Sequence, residues 1–81
     1  MTIRTDLTAA WSTGISTTRD TVVQCRRGVV YLNYDASAPS SIKDGYQMAS
    51  GASFVVKGGN TFRLASEDGR DHEVWYAEFT V

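Results

Sequence analysis

The chain has 81 residues, with eight Lys and Arg against nine Asp and Glu, a formal net charge of -1. That length sets a single domain, one that buries about 60 to 65% of the surface its unfolded chain exposes, and the near-neutral balance without a basic run speaks against charge-driven nucleic-acid binding. A single cysteine, Cys25, excludes an internal disulfide, and Cys25 with the lone histidine, His72, is too poor a ligand set for structural zinc.

So thin a core, with no covalent or metal staple, points to self-association or docking onto a larger body as the source of extra stability. No apolar run approaches the ~18 residues that cross a membrane, and the N-terminal "MTIRTDLTAAWSTG" has no signal-type apolar block. No membrane partner is expected, and synthesis in a cytoplasm is. One free cysteine agrees with a reducing compartment.

Residues 1–20 are rich in threonine and serine, with Leu7, Trp11 and Ile15 as the sizeable candidates for burial. This pattern predicts an extended arm or an edge strand. A short helix over Asp6 to Trp11, with Asp6 as N-cap, is the other option, too short to stand alone. From Thr21 onward, residues 21–81 read as one β domain. "TVVQCRR" and "GVVYLNYD" are strand-like, with Val30, Leu32 and Tyr34 on one face and Val29, Tyr31 and Asn33 on the other. Gly28 closes a hairpin or marks a bulge, and the hairpin is favoured.

The loop "DASAPSSIKDGYQM" contains the only proline, Pro39, and one apolar residue, Ile42, in polar surroundings. It reads as a stiff crossing between strands of different sheets, with Ile42 tucked under the sandwich or reaching a neighbour. "GYQMA" and "SFVVK" are short strands about "SGA". "FVVKGGNTFRL" reads as a hairpin about Gly58-Gly59, "EDGRD" as a turn, and "HEVWYAEFTV" as a last strand with Trp75, Ala77, Phe79 and Val81 on one face and solvent-preferring even positions such as His72 and Glu78. The sum is six or seven short strands in a small antiparallel β-sandwich or barrel, all-β, with an extended N-terminal arm.

Chemistry is sparse along this chain. In "DHE", a strand puts Asp71 and Glu73 on one side and His72 on the other, which spoils a three-ligand cluster. Cys25 lacks the helix N-terminus that depresses a thiol pKa, and Lys57 precedes its glycines where a phosphate loop has the lysine after them. Arg26, Arg27, Arg63 and Arg70 beside Tyr31 and Tyr34 suggest a modest nucleic-acid or glycan face, diluted by Asp35, Glu67, Asp68, Asp71, Glu73 and Glu78. No cofactor, no metal and no enzymatic turnover are expected. Trp11, Tyr46, Phe54, Phe62, Trp75, Tyr76 and Phe79 are more aromatics than so thin a sandwich hides, so one or two belong at an interface. The interface candidates are Trp11, Ile15, Ile42, Tyr46 and Tyr76.

From Thr21 to Phe79 the order of features resembles small all-β virion proteins of tailed bacteriophages. The features that carry it are Val23-Gln24, Gly28, Val29 to Tyr34, Ser37-Ala38-Pro39, Gly45-Tyr46, Gly51 and Val74-Trp75. The chain departs from that pattern in "CRR" after Gln24 and in a more charged final hairpin. The resemblance implies a capsid-decoration, head-fibre or tail-accessory subunit located in the virion. Such a subunit self-associates, with a trimer favoured, and docks on a major capsid protein or another virion protein. The rival reading is a soluble binding module for nucleic acid or glycan.

Overall fold

A computed structural model describes residues 1–34, 40–67 and 71–78. Eight strands are described: β1 (Thr2–Arg4), β2 (Ile15–Ser16), β3 (Thr21–Arg27), β4 (Val29–Asn33), β5 (Tyr46–Ala49), β6 (Ser53–Val56), β7 (Thr61–Ser66) and β8 (Glu73–Glu78). They form two four-stranded antiparallel sheets, sheet I in the order β1-β8-β3-β6 and sheet II in the order β2-β7-β4-β5. The fold is an all-β sandwich. It has more strands than the six or seven expected because residues 1–20 supply two, β1 on β8 and β2 on β7. No helix forms over Asp6 to Trp11; Leu7 lies in the core instead.

The core follows the period of two that strands impose. Val23 and Cys25 of β3, Val56 of β6 and Val74 of β8 face Val30 and Leu32 of β4, Met48 of β5, and Phe62 and Leu64 of β7, and all are buried. Tyr76 stands edge-on to Phe62, ring centroids 5.4 Å apart. In β8 the even positions Val74 and Tyr76 therefore face inward, and Trp75 and Ala77 face out. The expected solvent preference of the even positions holds at Glu78, exposed at the strand end, and fails at His72, which is buried, because burial of Val74 and Tyr76 turns the even positions toward the core. Phe79 and Val81 lie outside the described residues.

Three expected connections come out differently. Every pair of consecutive strands except β4 and β5 lies in different sheets, so Gly28 turns the chain from sheet I to sheet II and closes no hairpin. Its φ is 75°, and a Cβ there would lie 2.3 Å from the carbonyl oxygen of Asp71. "KGGN" is likewise a corner. Asn60 N–H donates to Lys57 C=O at 3.3 Å, and only Gly59 has a positive φ, 88°. That is a type II pattern, whereas a tight two-residue hairpin of type I′ needs positive φ at both central residues. The corner is held by the segment before β3: Gly58 N–H donates to Asp20 Oδ1 at 2.9 Å and Gly59 N–H to Thr17 C=O at 2.9 Å. Conversely, β4 and β5 pair directly, Val29 opposite Ala49 through Leu32 opposite Tyr46. The loop between them joins neighbours in one sheet and is no crossing. Its residues 35–39, Pro39 included, lie outside the described residues, as do residues 68–70 of the "EDGRD" turn.

The N-terminal segment is fastened to sheet II along the β7 edge. Ser66 N–H donates to Thr8 C=O and Ser12 N–H to Leu64 C=O, each at 2.9 Å. Leu7 is fixed at both backbone groups, its N–H donating to His72 Nε2 at 3.0 Å and its C=O accepting from Ser66 Oγ at 3.1 Å. Buried polar groups are thus paired where the chain enters the core.

Candidate functional site

The five interface candidates do not share one patch. Trp11 and Ile42, both half-buried, line a cleft of about 540 Å³ with Ala9, Ala10 and Lys43. Ile15 and Tyr76, also half-buried, line a different one of about 420 Å³ at the mouth between β1 and β2. Tyr46, 46% exposed, stacks on Phe54.

Trp11 has an intramolecular task. It leaves the β2 edge of sheet II, yet a Cβ on Gly45, at the β5 edge, would lie 2.6 Å from its Cη2. Its indole therefore crosses the outer side of sheet II. There the outward residues Tyr31, Asn33 and Ala65 are only 4%, 4% and 0% exposed. The 3-10 turn Ile42–Asp44, capped by Ser41, sits at the far side of this cover, and Lys43 Nζ meets Glu67 at 3.5 Å. Sheet II is clothed by its own chain.

Sheet I has no such cover among the described residues. Its register sets Ile3, Trp75, Gln24 and Ser53 in one cross-strand row and Ala77, Val22 and Val55 in the next. Ile3 is 52% and Val55 43% exposed, and Met1 prolongs the apolar row at the β1 edge. The charges lie at one end, where Arg27 pairs with carboxylates and Arg26 rests on an aromatic ring. The β3–β8 register shifts between Cys25 and Arg27, which re-aims Arg26 as a bulge does, and its guanidinium lies 4.2 Å above the Trp75 ring. Arg26 also donates to Gln24 Oε1 at 3.2 Å, Trp75 Nε1 donates to the Glu73 carboxylate, and Arg27 meets Asp71 at 2.8 Å and Glu73 at 3.5 Å. Trp and Arg in contact, surrounded by aliphatic side chains, have the composition of a binding hot spot.

Sequence reasoning put Trp75 among the surplus aromatics but named neither it nor Val22 or Val55 as contact residues, and placed Arg26 in a nucleic-acid or glycan face with Arg27, Arg63 and Arg70. The signal was present in "TVVQ" and "FVV", where valine occupies both parities of a strand. One valine of each pair must face away from the core of a two-layer fold.

The reactive residues are held quiet. Cys25 is buried, burial pushes its thiol up, and Sγ donates to the carbonyls of Gly28 at 3.4 Å and Arg27 at 3.5 Å. A nucleophile requires the opposite shift. His72 Nε2 is occupied as an acceptor for Leu7. Among the described residues no group of three His, Cys, Asp or Glu side chains is placed to hold a metal ion. Nor do the arginines gather beside tyrosines: Arg26 and Arg27 belong to sheet I, Arg63 Nη1 donates to Asn33 Oδ1 on sheet II, and Tyr31 is buried. Arg70 lies outside the described residues. No helix among the described residues is long and apolar enough to cross a membrane.

No family model matches the chain, and no curated protein matches it.

Proposed function

We propose that the protein is a non-enzymatic assembly subunit that self-associates through the outer face of sheet I and attaches to a larger particle. A virion component of tailed phages, of the capsid-decoration or tail-accessory kind, is the role its sequence resemblance suggests. The observation that carries the reading is the apolar outer face made by the exposed Ile3 and Val55 and the half-buried Val22, Trp75 and Ala77. The partner that suits it is a second copy. Arg27 is paired with Asp71 and Glu73 and Arg26 lies on the Trp75 ring, so positive and negative side chains are balanced at this end of the face, and a flat face of that kind is complementary to itself. Repetition on a symmetric particle would then multiply weak contacts.

The test is light scattering over a range of concentrations, on the wild type and on Val55→Glu. The wild-type mass should rise above the 8.9 kDa of one chain and resolve dimer from trimer, while Val55→Glu should stay monomeric and unfold cooperatively at a lower Tm that does not rise with concentration. A wild type that remains monomeric throughout, and is absent from purified particles, would sink the proposal.

A further inference from the structure

The side of the sandwich between β5 and β6 carries a second, separate feature. Tyr34 and Tyr46 have the inward parity of Leu32 and Met48, yet they lie beyond the core and are 49% and 46% exposed. Both rings lean on Phe54 of the opposite sheet, with centroids 5.3 and 5.0 Å away and planes tilted by 35° and 47°. Such contacts fix ring orientation as well as burying area. Tyr34 and Tyr46 then flank a cleft of about 150 Å³ that, among the described residues, is also lined by Leu32, Asn33, Asp44 and Gly45.

Among the described residues the charged side chain lining this cleft is Asp44, while the Arg63 guanidinium that reaches the lining residue Asn33 donates to its Oδ1 at 3.2 Å. Among the described residues the Asp44 carboxylate has no hydrogen bond or ion pair, and its neighbour Lys43 is engaged with Glu67 at 3.5 Å. Aromatic faces are the negative pole of their quadrupole. We propose that the Tyr34–Tyr46 cleft binds a small methylated ammonium group of the choline type. The carboxylate repels anions and gives an uncharged apolar ligand nothing. A bare ammonium keeps its strong hydration, whereas a methylated one presents an apolar, positively charged surface that the two rings and the carboxylate can share. The volume admits one such head group and little more.

The cleft is distinct from the outer face of sheet I, so this inference and the assembly reading stand or fall separately. The experiment is an NMR titration of the full chain with choline, beside the neutral isostere in which carbon replaces nitrogen. Shifts confined to Tyr34, Asp44, Gly45 and Tyr46 are expected, with a dissociation constant on the order of millimolar and the isostere about tenfold weaker or more. Asp44→Asn, an exposed change that leaves the fold intact, and Tyr46→Ala should each weaken binding by about fivefold or more. Val55→Glu should not alter it. Phosphocholine separates the sources: tighter binding than choline marks a lipid head group, weaker binding a free ammonium, and either supports the cleft. Absence of localised shifts with choline, equal binding of the isostere, or indifference to Asp44→Asn would overturn the proposal.

Discussion

The outer faces of the two sheets received similar apolar residues and met opposite fates. On sheet II, Tyr31 and Ala65 are sealed beneath the segment that carries Trp11. On sheet I, Val22, Val55 and Trp75 have no covering segment among the described residues. The sheets differ in which neighbour runs past them. Residues 8–16 follow the β7 edge of sheet II and fold a tryptophan back across it, whereas sheet I's own edge strand β1 lies flat beside β8. An apolar sheet face can be covered by the chain itself or by another molecule, and this protein does the first once and leaves the second open.

The largest effect should separate the two tryptophans. Trp11→Ala removes the cover of sheet II and should cost about 2 to 4 kcal/mol in urea denaturation, because it empties a packed site. Trp75→Ala, on the open face, should cost about 1 kcal/mol or less; equal losses would break the comparison. Gly45→Ala attacks the same cover from beneath, pressing a methyl group on Trp11 and on the Leu32 carbonyl oxygen. A loss of about 1 to 3 kcal/mol is expected, with a change in tryptophan fluorescence that Trp11→Ala abolishes. At the entry of the covering segment, His72→Leu strands the Leu7 N–H and should cost about 1 to 3 kcal/mol. Hydrogen exchange at Leu7 should accelerate, and an unchanged rate would show that the segment is held by packing alone.

The smallest effect is electrostatic. The Arg4 guanidinium, 2.7 Å away, holds the Asp6 carboxyl below its ordinary range, and the Gly58 N–H, aided by Lys57, does the same for Asp20. A carboxyl held low in the folded chain favours folding above its unfolded-state range, and that contribution fades as pH falls through the folded-state titration. Both groups are exposed, so solvent screening keeps the gain small. Carbon-detected NMR titration should place both below an unperturbed aspartate, and raised salt should shrink the difference.

Strand positions were largely legible because period-two alternation and glycine-bounded runs are local properties. "VVYLN", "YQMA", "SFVV" and "TFRLAS" all fall where those patterns put them. The connections were not legible. Gly28 and Gly58-Gly59 announced turns, but a glycine with positive φ serves a hairpin and a corner between sheets alike. What decided the matter was remote: Asp20 and Thr17 bind the Gly58-Gly59 turn, and Asp71 crowds Gly28. The candidate face was half legible. Two valines in succession declare that one faces out, without saying whether the chain will cover it.

By itself the sequence determined the all-β class and the places where the chain turns. Alternation and composition act residue by residue, and no partner is needed to express them. Only the tertiary structure decided which sheet each strand joins, which parity of β8 faces the core, and which sheet keeps a bare outer face. Those outcomes depend on segments far apart in the chain, because a strand's faces are equivalent until another layer packs against one of them.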